Sequence, residues 1–199
     1  MPPNLANSIY FGPFLVTPQV FYPVVSLGSF RSNRLQVFYK TSLSFALVNI
    51  KPILPGHVLV SPNRRIPRFR DLSLPEVADL FATVHRVSRT IERVYKASAL
   101  NIAIQDGEDA GQSVPHVHVH IIPRKHADLD QRGGSDAVYR MMDGEEGDIG
   151  AHLEEVDKSK TRTMFPDADD QRRPRTEEEM KEEARWLAEE IQKDETKSA

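Results

Sequence analysis

Cysteine is absent from the 199-residue chain, which excludes disulfides, a thiolate nucleophile and cysteine-ligated zinc. Long apolar runs are absent too, since none approaches the roughly 20 residues of a membrane-spanning helix, and the N-terminal residues lack the basic segment of a signal peptide. The net charge of −3 argues against general affinity for nucleic acid or anionic membranes. We therefore expect an intracellular protein, cytoplasmic with the nucleus left open, that binds neither nucleic acid nor membrane.

The apolar residues are concentrated in the first two thirds of the chain and predict a single domain. Two short β-branched segments, 42–50 and 57–62, flank Pro55–Gly56, a pair typical of a type II turn, and so predict a β-hairpin. Further strands are expected at 100–107 and 115–124.

One long helix is predicted between Asp71 and Ser98. Ser73 can cap its N-terminus, and Glu76, three residues later, completes a capping box. Apolar side chains recur at helical spacing along one stripe that should cover a face of the sheet: Val77, Leu80, Phe81, Val84, Ile91 and Val94. A mostly antiparallel sheet crossed by one long helix is an α+β fold.

The composition divides the chain into three parts. Residues 1–126 carry the predicted domain, whereas residues 127–175 are rich in charged residues and predict a flexible loop. Residues 176–199 return to a helical pattern, with Thr176 and Glu179 as a second capping box. We expect this last helix to be largely solvated and to dock through one thin apolar stripe: Met180, Ala184, Leu187 and Ile191.

One four-residue string, QVFY, occurs twice, at 19–22 and again at 36–39. Two copies do not define a repeat architecture. The residues between them, about 22–37, are interpreted as an insertion between neighbouring strands. A genuine loop and an error in the coding sequence would both explain the duplication, and both stay open.

The segment GQSVPHVHVHIIPR, residues 111–124, places histidines at every second position. On a β-strand His116, His118 and His120 would share one face, with the intervening apolar residues buried on the other. Neighbours would lie about 6.8 Å apart and the outer pair roughly 13 Å, too far for all three to bind one metal ion without distortion. A metal site is therefore disfavoured, and a hydrogen-bonded row without chemistry is a second alternative.

Phosphoryl or nucleotidyl transfer is the interpretation that uses every residue of this segment. A neutral imidazole is a good nucleophile near pH 7 and can form a covalent bond to phosphorus. Flanking histidines can donate hydrogen bonds to phosphate oxygens or protonate the leaving group, and the Gly-Gln-Ser sequence offers further donors to an oxyanion. Since the attacking ring must be neutral, its other nitrogen should donate to a fixed acceptor such as a backbone carbonyl.

The string HVHVHIIPR resembles the signature of the histidine-triad superfamily. The likeness extends to the fragile-histidine-triad branch, the dinucleoside polyphosphate hydrolases, over residues 9–21 and 38–126, and more weakly over the C-terminal helix. It is carried by SFALVNIKPILPGHVLVSP, DLSLPEVADLF and IQDGEDAGQSVPHVHVHIIPRK. Residues 22–37 depart from the family, in which the first strand leads almost directly into FYKTSLSFALVN.

This resemblance implies a role for each matching residue. His118 matches the nucleophile that attacks the α-phosphorus. His116 and His120 match its partners around the phosphate, and His57 matches a fourth histidine of the site. The other matches are a glutamine beside the scissile bridging oxygen (Gln105), phosphate contacts (Gln112, Ser113), a ribose contact (Asn49) and the nucleoside pocket (Phe11, Leu47, Leu59).

By resemblance, the third histidine and the charged continuation PRKHAD favour a hydrolase that converts diadenosine triphosphate to AMP and ADP through an adenylyl-histidine. The resemblance also implies a histidine-triad fold and a homodimer. We expect no tightly bound cofactor, with Mg²⁺ or Mn²⁺ accompanying the substrate. Two rival functions stay open: a nucleoside phosphoramidase with the same triad, and a nucleotide-binding signalling module with slow turnover.

Overall fold

The structure is a computed structural model, and it describes residues 9–18, 36–143 and 174–198. Within these ranges the chain forms seven strands and three α-helices. The strands are β1 (Ile9–Phe11), β2 (Phe14–Pro18), β3 (Gln36–Lys40), β4 (Ser44–Val48), β5 (Val58–Pro62), β6 (Ala99–Ile104) and β7 (Val119–Arg124). The helices are α1 (Leu74–Tyr95), α2 (Ala137–Asp143) and α3 (Glu177–Ser198).

The strands form one sheet in the order β1-β2-β3-β4-β5-β7-β6. All neighbouring pairs are antiparallel except β2 and β3. Every residue of β4 and of β5 is buried, as expected of short strands rich in apolar and β-branched residues that are covered on both faces. The predicted α+β fold is confirmed.

Helix α1 packs across β4, β5 and β7. Its N-terminus has the predicted capping box, in which the backbone N–H of Ser73 donates to Glu76 Oε2 at 2.8 Å. The stripe differs from the prediction in one respect, because Val87 is fully buried whereas Phe81 is 43% exposed. Phe81 lies at the edge of the stripe and packs edge-on against Phe69.

The hairpin turn between β4 and β5 has the predicted form. The backbone N–H of His57 donates to the carbonyl of Leu54 at 3.1 Å, and Gly56 has φ +86°, the value that a type II turn requires at its third residue. The antiparallel register pairs Val48 with Val58. The turn thus brings the segment after β4 beside His57.

Residues 127–143 are not the flexible loop that their charge predicted. They form a 3-10 turn at Asp130–Arg132 and helix α2, and they bury an apolar cluster: Leu129, Ala137, Val138, Met141 and Met142, packed with Ile53 and Ile122. Ile122 shares its face of β7 with His120 because the two are separated by one residue. The apolar residues of this segment are few and lie between charged residues, which is why the sequence analysis predicted a loop. Residues 144–173 of the predicted loop lie outside the described residues.

Two further predictions concern the segment 22–37 and the C-terminal helix. Gln36 and Val37 belong to β3, so the predicted insertion ends before them, and residues 22–35 lie outside the described residues. Helix α3 docks on β3 and α1 through the predicted stripe: Met180, Ala184, Leu187 and Ile191 are all buried. Its capping box is present, since the backbone N–H of Thr176 donates to Glu179 at 2.7 Å.

No helix in the part of the chain that the structure describes is both long enough and apolar enough to cross a membrane.

Gly56 offers a test of how tightly the turn is packed. A Cβ atom at this position would lie 2.6 Å from the ring of Tyr95, whereas a Cβ at Gly134, which has the same φ of +86°, would meet nothing within 4 Å. Gly134→Ala should therefore lower the free energy of unfolding by about 1 kcal/mol through backbone strain alone. Gly56→Ala should lower it by about 3 kcal/mol because a steric clash is added.

Urea unfolding of both variants, followed by circular dichroism, measures this difference. Equal losses of stability in the two variants would show that the ring of Tyr95 does not constrain the turn.

Candidate active site

Four buried histidines lie together beside the neighbouring strands β5 and β7. His120 is on β7 opposite Leu59 of β5, and His57 directly precedes β5. His116 and His118 lie in the segment just before β7, which begins later than predicted, at Val119. All four histidines are at most 1% exposed, and the ring centroid of His120 is 4.9 Å from that of His118 and 5.2 Å from that of His57.

The tautomer of His118 follows from a single hydrogen bond. Its Nδ1 lies 2.7 Å from the carbonyl oxygen of His116, and a carbonyl can only accept, so Nδ1 carries the proton. Burial lowers the pKa of His118, which favours the neutral ring. Nε2 therefore holds a lone pair, and no hydrogen bond from the described residues reaches it. This backbone acceptor is of the kind that the sequence analysis expected for the attacking histidine.

A relay of hydrogen bonds determines the proton position on His120. The backbone N–H of Ile53 donates to His57 Nδ1 at 3.2 Å, so a neutral His57 carries its proton on Nε2. His57 Nε2 then donates to His120 Nδ1 at 2.9 Å. The proton of a neutral His120 consequently lies on Nε2.

His120 Nε2 is a buried donor without a hydrogen-bond partner among the described residues. Leaving a donor unpaired in this way costs roughly 1–3 kcal/mol. Burial, followed by the neighbouring His118 and His57, holds the pKa of His120 well below its ordinary value. The arrangement supplies a neutral N–H that an oxygen acceptor of a ligand can satisfy.

His116 is hydrogen-bonded to backbone groups through both of its ring nitrogens. Its Nδ1 accepts a hydrogen bond from the backbone N–H of Gly12 at 3.1 Å, and its Nε2 donates to the carbonyl of Pro62 at 2.9 Å. Both ring nitrogens are thus occupied by backbone groups, and no donor is left for a phosphate. His116 ties the turn between β1 and β2 to the end of β5, while its own carbonyl orients His118.

The predicted nucleoside-pocket residues occupy the core beside the histidines. Phe11 packs its ring edge-on against His118, with centroids 5.2 Å apart. Leu47 and Leu59 face each other across β4 and β5, and all three side chains are fully buried in the main apolar cluster. Phe11 thus contacts a histidine ring directly, whereas Leu47 and Leu59 belong to the core of the neighbouring strands.

Asn49 directly follows β4 and is 2% exposed. Its Nδ2 lies 3.4 Å from both ring nitrogens of His57, and its Oδ1 accepts from the backbone N–H of Lys51 at 3.1 Å. The β4–β5 turn thus brings the predicted ribose contact into the histidine cluster.

Gln105, which the resemblance matches to the glutamine beside the bridging oxygen, contacts helix α2. Gln105 follows β6, where Ala103 pairs with His120, and its Nε2 donates to Met142 O at 3.3 Å and to Asp143 Oδ1 at 3.2 Å. Helix α2 therefore lies against this glutamine, a contact that sequence reasoning missed because it treated the segment as a loop.

The side-chain amide of Gln112 is hydrogen-bonded at both ends to the backbone of two loops. Its Oε1 accepts from the backbone N–H of Gly107 and its Nε2 donates to the carbonyl of Pro67, both at 3.0 Å. Ser113, the neighbouring predicted phosphate contact, is half-buried.

Among residues 9–18, 36–143 and 174–198, no group of three or more His, Asp or Glu side chains is arranged to hold a metal ion.

Comparison with known proteins supports the resemblance. Residues 31–127 match the family model of the HIT domain. A protein from Schizosaccharomyces pombe named bis(5'-nucleosyl)-tetraphosphatase [asymmetrical] is 48% identical over 178 residues, which cover 85% of this chain and 92% of the relative. The chain belongs to the HIT-domain family.

Two other members of the HIT-domain family are similar over most of their length. A bis(5'-adenosyl)-triphosphatase from Dictyostelium discoideum is 38% identical, with coverage of 80% of this chain and 94% of the relative. The crystal structure of Plasmodium falciparum diadenosine triphosphate hydrolase superposes with a TM-score of 0.51 at 29% identity, covering 77% of this chain and 88% of that one.

The buried histidines predict a specific pH dependence of stability. Burial lowers the pKa of His116 from 6.5 to about 4, so between these values the unfolded chain binds a proton that the folded protein excludes. The free energy of unfolding should therefore fall as the pH drops below ~6.5, with His116 alone contributing roughly 2 kcal/mol between pH 7.5 and 5. Urea unfolding across this range measures the effect.

Two features isolate the histidines in this measurement. The pKa of Glu76 is lowered to about 2, chiefly by Arg64, so its contribution is lost only at lower pH. His85 is exposed on α1, and His85→Gln is the matched control for a substitution within the buried cluster. A free energy of unfolding that is flat between pH 7.5 and 5 would contradict a neutral buried cluster.

Proposed function

We propose that this protein hydrolyses diadenosine triphosphate and related dinucleoside polyphosphates, releasing AMP and, from the triphosphate, ADP. The observation that carries the proposal is the pairing of two buried nitrogens of opposite character. His118 Nε2 holds a lone pair because Nδ1 donates to a carbonyl, and His120 Nε2 holds a proton that finds no acceptor among the described residues. The enzymes that the relatives are named as supply the substrate class.

In the first step His118 Nε2 attacks the α-phosphorus. The new N–P bond forms as the bond to the bridging oxygen breaks, and ADP leaves with the electron pair of that bond. Positive charge develops on the His118 ring, and the carbonyl of His116 stabilises it by accepting from Nδ1 at 2.7 Å. His120 Nε2–H donates to an oxygen of the reacting phosphate, which gives its unsatisfied proton a partner.

In the second step water attacks the phosphorus of the adenylyl-histidine. The N–P bond breaks, AMP leaves with the water oxygen, and the water proton passes to solvent as His118 returns to its neutral form. Mg²⁺ or Mn²⁺ enters with the polyphosphate as part of the substrate, since these hard cations bind phosphate oxygens.

A second candidate substrate is favoured by the relatives. The protein from S. pombe carries a tetraphosphatase name, whereas the protein from D. discoideum carries a triphosphatase name. Turnover of diadenosine triphosphate, diadenosine tetraphosphate and adenosine phosphoramidate under identical conditions decides between the chain lengths. Preferential cleavage of the phosphoramidate would replace the proposal with the phosphoramidase alternative.

Replacing the nucleophile tests the mechanism directly. His118→Asn should reduce turnover by about 10⁴-fold or more because the covalent step is lost, while the Kd for substrate changes little. A matched control is His85→Asn, which alters an exposed histidine of α1. Mass spectrometry of a rapidly quenched wild-type reaction should find adenylate on the peptide that contains His118. Near-wild-type turnover of His118→Asn would contradict the assignment.

We also propose a homodimer that pairs through β6. This strand ends the described sheet, and its Ile102 is 48% exposed. An open strand edge with an exposed apolar side chain favours pairing with a second copy, and two-fold symmetry is the commonest arrangement of homo-oligomers.

Light scattering coupled to size-exclusion chromatography tests this interface. The wild-type protein should elute as a dimer, and Ile102→Lys should shift it toward the monomer because two lysines would face each other across the axis. Leu74→Lys, at the 84% exposed first residue of α1, should remain dimeric. A dimer of unchanged stability in Ile102→Lys would place the interface elsewhere.

A further inference from the structure

Arg175 lies just before α3 and holds the segment that follows β4. Its backbone N–H donates to the carbonyl of Ile50 at 2.8 Å. Its side chain donates to the carbonyl of Asn49 through Nε at 3.0 Å and also through Nη2. Because a guanidinium presents its donors in a rigid fork, these bonds together fix the position of two consecutive peptide groups.

The same guanidinium connects this segment to two helices. Its Nη1 forms an ion pair with Glu183 of α3, and Glu183 accepts a hydrogen bond from the hydroxyl of Tyr95 at 2.6 Å. Burial raises the pKa of Tyr95, so the hydroxyl keeps its proton and remains a donor. Tyr95 ends α1. We refer to Arg175, Glu183 and Tyr95 as the clamp.

The clamp contacts both ends of the segment 49–57. Arg175 holds the carbonyl of Asn49 at one end, and the ring of Tyr95 lies against Gly56 at the other end, where a Cβ would approach it to 2.6 Å. His57 directly follows Gly56 and lies 3.4 Å from Asn49 Nδ2. A shift of either end would therefore move the predicted ribose contact and the first ring of the histidine relay together.

From these contacts we infer that Arg175 is a positioning residue for the nucleoside end of the site, and that α3 contributes to substrate binding through it. The inference rests on the proposed function and on the family resemblance, which implies that Asn49 contacts the ribose. Arg175 touches no reacting atom, since its donors end on the carbonyls of Asn49 and Ile50 and on Glu183. Its removal should consequently weaken nucleoside binding more than it slows the chemical steps.

The principal variant is Arg175→Met, which keeps the length of the side chain and removes its donors. The KM for diadenosine triphosphate should rise about tenfold, as expected for the loss of charge-assisted hydrogen bonds, and kcat should fall by less than about threefold. The wild-type preference for this substrate over its 2′-deoxy analogue, measured as the ratio of kcat/KM values, should also decrease because the ribose contact is misplaced.

A control variant removes a comparable contact of α3, one whose partners lie on α1 and α3 and not in the segment 49–57. Arg93 joins α1 to α3 through Glu190 at 2.7 Å and Asp194 at 2.9 Å. Arg93→Met should lower the thermal stability and leave KM and the ribose preference unchanged. Arg175→Lys should give an intermediate KM, because one ammonium cannot reproduce the fork.

A double-mutant cycle tests the route of the effect. If Arg175 acts through Asn49, the KM of Asn49→Ala/Arg175→Met should be close to that of Asn49→Ala alone, since the second change finds nothing left to misplace. If the KM of the double variant instead rises by the product of the two single effects, Arg175 acts independently of Asn49, and the inference is overturned.

The outcomes separate the two proposals. Wild-type protein that does not turn over any dinucleoside polyphosphate would refute the proposed function. Active wild-type protein in which Arg175→Met and Arg93→Met change KM equally, or in which the ribose preference survives in Arg175→Met, would refute the clamp alone. If Arg175→Met does not fold, Arg175→Lys and Tyr95→Phe carry the test, and an unchanged KM in both overturns the inference.

Discussion

Four buried imidazoles must each carry one proton on a particular nitrogen, and the protein backbone decides which nitrogen it is. A carbonyl can only accept and a backbone N–H can only donate. The N–H of Ile53 therefore directs the relay through His57 to His120, and the carbonyl of His116 directs the proton of His118. Burial lowers the pKa of His118 and of His120, so both rings stay neutral and keep these proton positions at neutral pH.

The strands and helices are arranged in layers around these histidines. The β4–β5 hairpin brings His57 beside β7, and α1 covers the sheet face opposite the histidines. On the histidine face, α2 packs beside Ile122 and reaches Gln105. Helix α3 packs on β3 and α1. Arg175, just before this helix, contacts the segment that carries Asn49. Elements remote in sequence are thus connected to the site by one or two hydrogen bonds each.

Short-range rules were sufficient for much of the fold. The capping boxes at Ser73 and Thr176, the type II turn at Gly56 and the docking stripe of α3 each depend on residues within one or two turns of chain, and all are present. Helix α2 was missed because it spans only seven residues, among them Val138 and Met141, between two charged segments. Its stability comes from packing on Ile53 and Ile122, which no local pattern reveals.

The sequence by itself determined the three alternating histidines and the family to which their signature belongs, because alternation and spacing are properties of the chain alone. Only the tertiary structure decided what each ring does. His116 and His120 are equivalent in the pattern, but the backbone of Gly12 and Pro62 occupies both nitrogens of the first. The second retains a donor with no partner in the part of the chain that the structure describes. Hydrogen-bond partners more than 50 residues away make that distinction, and they meet only when the chain has folded.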